Sequence, residues 1–484
     1  MVGVPGRSKG CSTCRKRKKG CDRGRPTCTQ CFNAGLECGG YQRDIVFLNH
    51  TQVTKAAAVP VVYRKESPKR SGHSLAGITD IALPNGLAQT AYIEKYISIF
   101  LTDYLPEGRS LTGPSRDWIE IAHGLHTSSK ATQLSLLSLG LFAAGETQYA
   151  LQSYCFALRK LQTSLSVPCQ TQNDSTLATC QLLSLFEIFH GADDNVLLQG
   201  RKWHSHLSGL LAIIQARSPS AYQSGASHQL FVAGRYPLLI AAIKERRRFP
   251  LNTPEWRTIP WEKEPKSYMD KLYDIMADMC EILVDTDEMR SCDDHIQKTK
   301  FHAEILRACQ CLDERLQNWF KEAGPLADFH DSNGISINPT GPSNLLLAHM
   351  TVLYWTTYIV LYSTLISIHD PPLSEVPADI SIAPYLRGVA NALPYFWSQG
   401  AGLCGANLAA SPWGLCLHIV YGSPHSYPEE MALLQQFAIK QKGAVTVLQF
   451  LDSLQRSTAR PEMANINGIE GLVIRAQNWM MGKR

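Results

Sequence analysis

Residues 11–38 read CSTCRKRKKGCDRGRPTCTQCFNAGLEC, and this stretch decides the fold at the start of the chain. Its six cysteines follow the pattern C-x2-C-x6-C-x6-C-x2-C-x6-C, which is one unit written twice. Each half supplies three thiolates, whereas a structural zinc ion takes four ligands in a tetrahedron. Two zinc ions can share six sulfurs only if two cysteines bridge both metals. The pattern therefore predicts a binuclear Zn²⁺ cluster, with two ions per chain, held by Cys11, Cys14, Cys21, Cys28, Cys31 and Cys38.

The residues between the cysteines predict two short helices joined by a turn. Ser12, with Thr13 beside it, and Thr29 follow the first cysteine of each half, where they favour the start of a helix. Gly20 and Gly35 are expected to supply the left-handed residue that ends each helix. Pro26 lies in the connection and favours a turn that brings the two halves together.

Charge is distributed unequally between the two halves of this motif. The second half reads CFNAG after its first turn and has no cation there, whereas the first half carries a run of five: Arg15, Lys16, Arg17, Lys18 and Lys19. This asymmetry predicts that the first helix enters a DNA groove while the second completes the fold. A solvated face or a nuclear import signal is the alternative interpretation of such a run.

The spacing of residues 11–38 resembles that of the fungal Zn2Cys6 binuclear cluster transcription factors throughout. The resemblance implies that Cys11 and Cys28, the first cysteines of the two halves, bridge both metals. One zinc ion would then be held by Cys11, Cys14, Cys21 and Cys28. The other would be held by Cys28, Cys31, Cys38 and Cys11.

The same resemblance implies how the cationic run contacts double-stranded DNA. Lys18, with help from Arg17, would contact bases of a CGG triplet in the major groove. Lysine and arginine commonly donate to the O6 and N7 atoms of guanine. The remaining cations, Arg15, Lys16 and Lys19, are then candidates for phosphate contacts, which set register and salt dependence.

The basic character of the chain belongs to its first segment. Residues 1–72 carry 15 Lys and Arg against four acids, a net charge of +11, within a total of +5. The remaining 412 residues therefore have a net charge of −6. Such an arm is typical of polyanion binding. The first ten residues show no apolar run of a signal peptide, so we expect a reducing compartment, with the nucleus as the location.

The remainder of the chain is predicted to be an all-α body of about a dozen helices. Apolar residues recur there at helical spacing, most clearly in the stripe Trp203, Leu207, Leu210, Leu211 and Ile214. Asp174 is expected to cap one helix, and others are expected near 88–104, 132–166, 228–247, 268–285, 300–321, 343–367 and 432–455. The predicted domains are a Zn2Cys6 DNA-binding domain (1–43), a basic flexible linker (44–85) and an all-α regulatory domain (86–484).

The order of motifs in the body resembles the regulatory region of one branch of the same family. The residues that carry this likeness are a leucine-rich segment (182–189), the segment 203–209 and the tryptophans Trp256 and Trp261. The resemblance implies an effector-response or protein-interaction domain, with transcription co-regulators as candidate partners. No run of three coiled-coil heptads follows the cluster, so the sequence allows a homodimer without showing what would form it.

Neither a membrane span nor catalysis is favoured by the sequence. Residues 345–366 are apolar and long enough to cross a bilayer, but they include His349 and Ser363 and lack a preceding positive cluster, which favours a buried helix. The paired acids at 193–194 and 293–294 lack a third carboxylate one helical turn on. His204 and His206 are two residues apart and face different sides of a helix. We therefore expect no membrane partner and no enzyme.

Together these features predict a small Zn2Cys6 cluster domain followed by a large all-α regulatory domain. The predicted function is sequence-specific, DNA-binding regulation of RNA polymerase II transcription. The alternative is a zinc-dependent interaction or scaffold protein whose basic arm binds nucleic acid without sequence preference.

Overall fold

Helices account for the regular structure in the described part of this protein. A computed structural model describes residues 10–24, 27–39, 85–105, 118–167, 172–190, 196–324, 326, 342–369, 380–441, 443–458 and 468–480. Within these ranges every regular element is an α-helix or a short 3-10 helix, and no strand occurs. The all-α class predicted for the body is confirmed. The chain divides into two units, Met1–Ile81 and Ala82–Arg484. Apart from residue 85, the predicted linker lies outside the described residues.

The first unit contains the two short helices expected from the cysteine motif, α1 (Ser12–Lys16) and α2 (Thr29–Phe32). Gly35 ends the second helical turn with a positive φ of 62°, as predicted. The prediction for Gly20 is wrong, because in the first half the left-handed residue is Lys18, with φ 52°. The turn expected at Pro26 lies outside the described residues.

The second unit begins with a long series of helices. Its described part contains sixteen α-helices, more than the dozen expected: α3 (Asn85–Tyr104), α4 (Trp118–Leu125), α5 (Lys130–Ala143), α6 (Thr147–Leu165), α7 (Asp174–Phe189), α8 (Val196–Gln215), α9 (Gly225–Glu245), α10 (Pro254–Thr258), α11 (Tyr268–Arg290), α12 (His295–Ala323), α13 (Pro342–Ile368), α14 (Ala383–Phe396), α15 (Gly402–Gly422), α16 (Pro428–Lys440), α17 (Ala444–Thr458) and α18 (Gly468–Met480). Two 3-10 helices occur at Pro219–Tyr222 and Ile259–Trp261.

Glycines that interrupt two predicted elements contribute to the larger number of helices. The helix expected over 132–166 is divided into α5 and α6 at Gly145, which has φ 80°. The helix expected over 432–455 is divided into α16 and α17 near Gly443, which has φ 86°. A left-handed residue cannot continue a right-handed helix, so each glycine turns the chain back on itself.

Helix α7 lies at the centre of the body, and all of its residues from Ser175 to Phe189 are buried. Its cap differs from the prediction, because the Asn173 side chain accepts the hydrogen bond from the Ser175 N–H at 3.2 Å. Asp174 instead accepts a hydrogen bond from Arg217 at 2.9 Å. Helix α8 packs against α7 and α17. The predicted α8 stripe is buried, with Leu211 only partly so: Trp203, Leu207, Leu210 and Ile214.

Among the described residues, two helices are long and apolar enough to cross a membrane by length and composition alone, within Leu345–Ile368 and Gly402–Gly422. Both are core helices in this structure, because 67% and 56% of their most apolar windows are buried inside the protein. Helix α13 contacts α11, α12, α14 and α15. The helix predicted over 343–367 is therefore confirmed, and it packs within the body.

Candidate metal centre and nucleic-acid interface

The cysteine thiols of the first unit converge on one small volume. Four of them are fully buried: Cys11, Cys14, Cys28 and Cys31. The Sγ–Sγ distances are 3.7 Å for Cys11–Cys28 and for Cys14–Cys28. Tetrahedral zinc with Zn–S bonds of about 2.3 Å places its sulfurs about 3.8 Å apart. The Sγ atoms of these two pairs are therefore already separated by the distance that tetrahedral zinc coordination requires.

Two groups of four thiols can be distinguished, and they share two members. In each group all four Sγ atoms lie within 4.8 Å of one another. The groups are Cys11, Cys14, Cys21 and Cys28, and Cys11, Cys28, Cys31 and Cys38. The shared sulfurs are those of Cys11 and Cys28. This arrangement matches the two ligand sets implied by the resemblance, although individual metal–ligand bonds stay a prediction.

Burial raises the pKa of three of these thiols, those of Cys14, Cys28 and Cys31, and so makes them poor anions without a metal. It raises the pKa of the Cys14 thiol to about 12. Zinc binds the thiolate form, and the charge of the metal removes the thiol proton. Metal binding and folding of this small unit are therefore expected to be coupled, because four buried thiolates are stable together only around a cation.

Hydrogen bonds that the sequence analysis missed join the two halves of the motif. The Asp22 carboxylate accepts from the Thr29 hydroxyl at 2.7 Å and from the Thr29 N–H at 3.1 Å. These bonds lower the pKa of Asp22 to about 2. The Ser12 hydroxyl donates to the Gly39 carbonyl at 2.7 Å, and Thr13 bonds the backbone of Glu37 and Gly39. Ser12 and Thr13 thus tie the start of α1 to the end of the motif.

The cationic run extends beyond the helix that was expected to carry it. Helix α1 ends at Lys16, and Arg17 and Lys18 lie in the following turn. The Lys19 N–H closes this turn by donating to the Cys14 carbonyl at 3.0 Å. The described side chains of the run are all exposed, namely Lys16, Arg17, Lys18 and Lys19. The side chain of Arg15 lies outside the described part of the structure.

The corresponding face of the second half is apolar. Phe32 is 77% exposed and Leu36 is 42% exposed. The Leu36 N–H donates to the Cys31 carbonyl at 3.0 Å, in the same way as Lys19 to Cys14. The two halves therefore share one backbone design, while only the first presents exposed positive charge to a polyanion.

Three residues of the body that were weighed for chemistry, His204, His206 and Asp294, bond to neighbouring side chains or cap a helix. His204 contacts Glu245 at 2.8 Å, whereas His206 bonds the Tyr154 hydroxyl at 2.8 Å. The two histidines thus face different neighbours, as predicted. Asp294 caps α12 by accepting from the Ile296 N–H at 2.9 Å. The acids at 193–194 lie outside the described residues.

Two family models match this chain. The fungal Zn(2)-Cys(6) binuclear cluster domain matches residues 9–45, and the fungal specific transcription factor domain matches residues 110–381, more than half of the chain. The chain belongs to the fungal-specific transcription factor family. It therefore binds two zinc ions through its cluster domain, and its larger matched domain is one of fungal transcription factors. Proteins of these families are not generally enzymes.

Similarity to individual proteins is confined to short segments. The transcriptional regulatory protein pro1 of Neurospora crassa is 36% identical over 83 residues, which are 17% of this chain and 12% of that protein. An uncharacterised protein of Emericella nidulans is 27% identical over 106 residues, 22% of this chain and 21% of that protein. The matches thus span much less than two thirds of either relative. No solved structure matches the chain.

Proposed function

We propose that this protein is a nuclear, sequence-specific regulator of RNA polymerase II transcription that recognises a CGG-type triplet in double-stranded DNA. The observation that carries the proposal is the exposed turn at Lys16–Lys19, which follows directly from a buried cluster of thiols. A short, rigid, cationic projection of this kind fits the major groove and can reach only about three base pairs.

The proposed metal ligands follow the two groups of thiols described above. Cys14 and Cys21 complete the tetrahedron of one zinc ion, and Cys31 and Cys38 complete that of the other. Cys11 and Cys28 bridge both ions, which is supported by their 3.7 Å Sγ–Sγ separation and by their membership of both groups. The zinc ions supply structure, and the side chains of the basic run supply recognition.

Lys18 is the proposed base-reading residue. Its positive φ of 52° is unusual for a residue with a side chain, and it places Lys18 at the corner where the chain leaves α1. A side chain at this corner projects away from the metal-bound core. Arg17 is proposed to assist it, whereas Arg15, Lys16 and Lys19 are proposed to contact phosphates.

The rest of the proposed arrangement follows the predicted domains. Residues 1–43 form the DNA-binding domain, 44–85 a basic linker and 86–484 the regulatory domain, which would contact transcription co-regulators. A homodimer remains compatible with this arrangement. The described residues of the cluster unit include no helix longer than α1, so the cluster itself offers no long dimerisation helix.

The test compares Lys18→Gly with Lys19→Ala in the full-length protein. Glycine tolerates the left-handed backbone at position 18, so this change removes the side chain without disturbing the turn. Fluorescence anisotropy is measured with a CGG-containing duplex and a scrambled duplex at several salt concentrations. Lys18→Gly should cost about 1–3 kcal/mol on the CGG duplex and much less on the scrambled one.

Lys19→Ala is the matched control, because it also removes one positive charge. It should weaken binding to both duplexes alike and reduce the slope of log affinity against log salt by about one unit. The same result is expected for Lys16→Ala. If Lys18→Gly weakens binding to both duplexes equally, the basic run binds DNA without sequence preference. The alternative function, a zinc-dependent scaffold protein, would then be favoured.

A further inference from the structure

A cavity of about 560 Å³ lies inside the helical body, between α9, α11, α13, α15, α17 and α18. Its volume is within the range of about 300–1,000 Å³ that small-molecule sites occupy. Most of its wall is aliphatic or thioether: Ile240, Met276, Met279, Leu353, Val360 and Leu451. The wall is therefore suited to an extended hydrocarbon group, which unbranched methionine side chains accommodate readily.

Hydroxyl groups on α13 interrupt this apolar wall, but their protons already donate to carbonyl groups of the same helix. The Thr357 hydroxyl donates to the Leu353 carbonyl at 2.7 Å, and the Thr364 hydroxyl donates to the Val360 carbonyl at 2.8 Å. Thr356 and Ser363 bond carbonyls of the same helix in the same manner. Since these protons are committed to the backbone of α13, hydrogen bonds to an anion must come from elsewhere.

One side of the cavity carries positive charge, from Lys244, Arg246 and Arg290. The Arg246 guanidinium is already paired, because it donates two hydrogen bonds of 2.8 Å to the Asp287 carboxylate. Arg290 approaches the same carboxylate at 3.9 Å. The nearby acid Glu245 is engaged with His204 at 2.8 Å. Both arginines and Glu245 therefore have ion-pair partners, with Asp287 shared by the two arginines and Glu245 also paired with Arg247.

Lys244 differs from its neighbours because no hydrogen bond or ion pair joins it to any other residue in the described part of the body. Burial against the apolar wall lowers its pKa to about 8, so it still carries its proton at neutral pH. His418 lies close by, and burial, together with the charges of Lys244 and Arg246, lowers its pKa to about 4. The cavity thus combines one uncompensated cation with one neutral imidazole.

A cation that is partly buried without a partner is costly, and a bound anion would offset that cost. We propose that this cavity binds one amphipathic organic anion, a monocarboxylate with an acyl chain, whose carboxylate accepts hydrogen bonds from Lys244 while its chain lies along Met276 and Met279. The site belongs to the helical body and is separate from the zinc cluster and its DNA contacts.

The charges of the site favour this class of ligand over others. A neutral alcohol or hydrocarbon would fill the volume but leave Lys244 without a counter-ion. A doubly charged phosphate would meet only one uncompensated cation and would lie near Glu245, which also lines the cavity. A single carboxylate matches the single free charge, and the acyl chain matches the remaining wall.

The experiment is isothermal titration calorimetry of the purified full-length protein with sodium dodecanoate, below the concentration at which it forms micelles. Dodecanol, which has the same chain without the charge, and sodium acetate, which has the charge without the chain, are titrated in parallel. We expect dodecanoate to bind with a stoichiometry of one, and the other two compounds to bind at least about tenfold more weakly.

The variant Lys244→Met removes the cation and keeps an unbranched side chain. It should weaken dodecanoate binding by about tenfold or more and leave dodecanol binding unchanged. Lys440→Met is the matched control, because Lys440 is exposed at the end of α16 and does not line the cavity. Its affinity for dodecanoate should equal that of the wild type.

Photocrosslinking locates the site in the wild-type protein and so does not depend on a variant that folds. A dodecanoate analogue with a diazirine in its chain should label peptides of α11 and α13. The proposal is overturned if dodecanoate does not bind, if dodecanol binds equally well, or if Lys244→Met and Lys440→Met behave alike. Labelling confined to peptides outside α9, α11, α13, α15, α17 and α18 would equally overturn it.

Discussion

The variant Lys244→Met is expected to stabilise the ligand-free protein. Burial lowers the pKa of Lys244 from 10.5 to about 8. Each unit of pKa shift corresponds to about 1.36 kcal/mol of differential interaction with the charged form. The charged ammonium therefore costs the folded state about 3 kcal/mol at neutral pH. Methionine has a similar length and no charge, so the variant should recover most of this free energy of unfolding.

The gain should depend on pH in a defined direction. Below pH 8 Lys244 is protonated in both the folded and the unfolded chain, and the full cost is present. Between pH 8 and pH 10.5 the unfolded chain retains the proton that the folded chain has lost, so the wild type becomes more stable as the pH rises. Above pH 10.5 the residue is neutral in both states, and the difference between the two proteins should vanish.

Other ionisable groups face the same cavity. Their contributions to the free energy of unfolding cancel when the wild type is compared with Lys244→Met. Glu245, Arg246, Arg290 and His418 line it together with Lys244. They are present in both the wild type and the variant, so their own titrations contribute equally to the two stability curves unless they are coupled to Lys244. Because burial, the largest cause, lowers the pKa of His418 to about 4, this group stays neutral across the pH range that matters here.

Urea unfolding followed by far-ultraviolet circular dichroism, repeated across this pH range, measures the effect. Lys440→Met should change the free energy of unfolding by less than about 0.5 kcal/mol at every pH, as is usual for exposed positions. The explanation fails if Lys244→Met is no more stable than the wild type at neutral pH. It fails equally if a gain persists unchanged above pH 10.5, since the cause would then be packing rather than charge.

The remaining predictions concern the metal centre and the helix packing. Native mass spectrometry should find two zinc ions per chain, and Cys28→Ala should lose more zinc than Cys14→Ala because Cys28 is proposed to bridge; equal losses would contradict the bridging. Gly140→Ala should destabilise the body by about 1–3 kcal/mol, because an added Cβ would lie 1.9 Å from the Tyr96 carbonyl oxygen. Gly209→Ala, where nothing lies within 4 Å of the new Cβ, should instead stabilise α8 slightly, and a lower melting temperature for this variant would count against the argument.

The metal centre could be predicted from the cysteine spacing, because ligand number and tetrahedral geometry leave few ways to share six sulfurs between two metals. The positions of the backbone turns were less clear. The repeat itself contained the missing signal: Cys11 and Cys28 begin the two halves, and Lys18 and Gly35 stand at the same distance after them. Aligning the halves would have placed the left-handed residue at Lys18 rather than at Gly20.

The all-α class of the body could be predicted from the sequence, but the positions at which its helices begin and end could not. Helical periodicity identified most of the long elements, yet it passed over Gly145 and Gly443 because apolar residues recur on both sides of each glycine. Periodicity reports which face is buried, whereas the direction of the chain after a break depends on the backbone conformation of single residues. The choice of Asn173 over Asp174 as the cap of α7 depended likewise on Arg217, which is distant in sequence.

The cavity could not be inferred from the sequence at all. Its wall comes from six helices between positions 240 and 469, and its apolar residues stand at ordinary helical spacings. Lys244 follows a buried segment of α9 and resembles the solvated basic residue expected at the end of a helix. Only the three-dimensional arrangement shows that no carboxylate among the described residues pairs with it.

The left-handed conformation of Lys18 connects the stability of the cluster with its proposed function. Gly35 occupies the equivalent place in the second half, where glycine has no steric cost. A residue with a Cβ costs roughly 1–2 kcal/mol in this conformation, so the first half retains a strained lysine where the second half has the easier residue. Structural zinc contributes roughly 10–16 kcal/mol to small modules that lack a core. Because the metal term exceeds the strain several-fold, the cluster can hold a cationic side chain at the corner of the turn, where a hydrophobic core of so few residues could not.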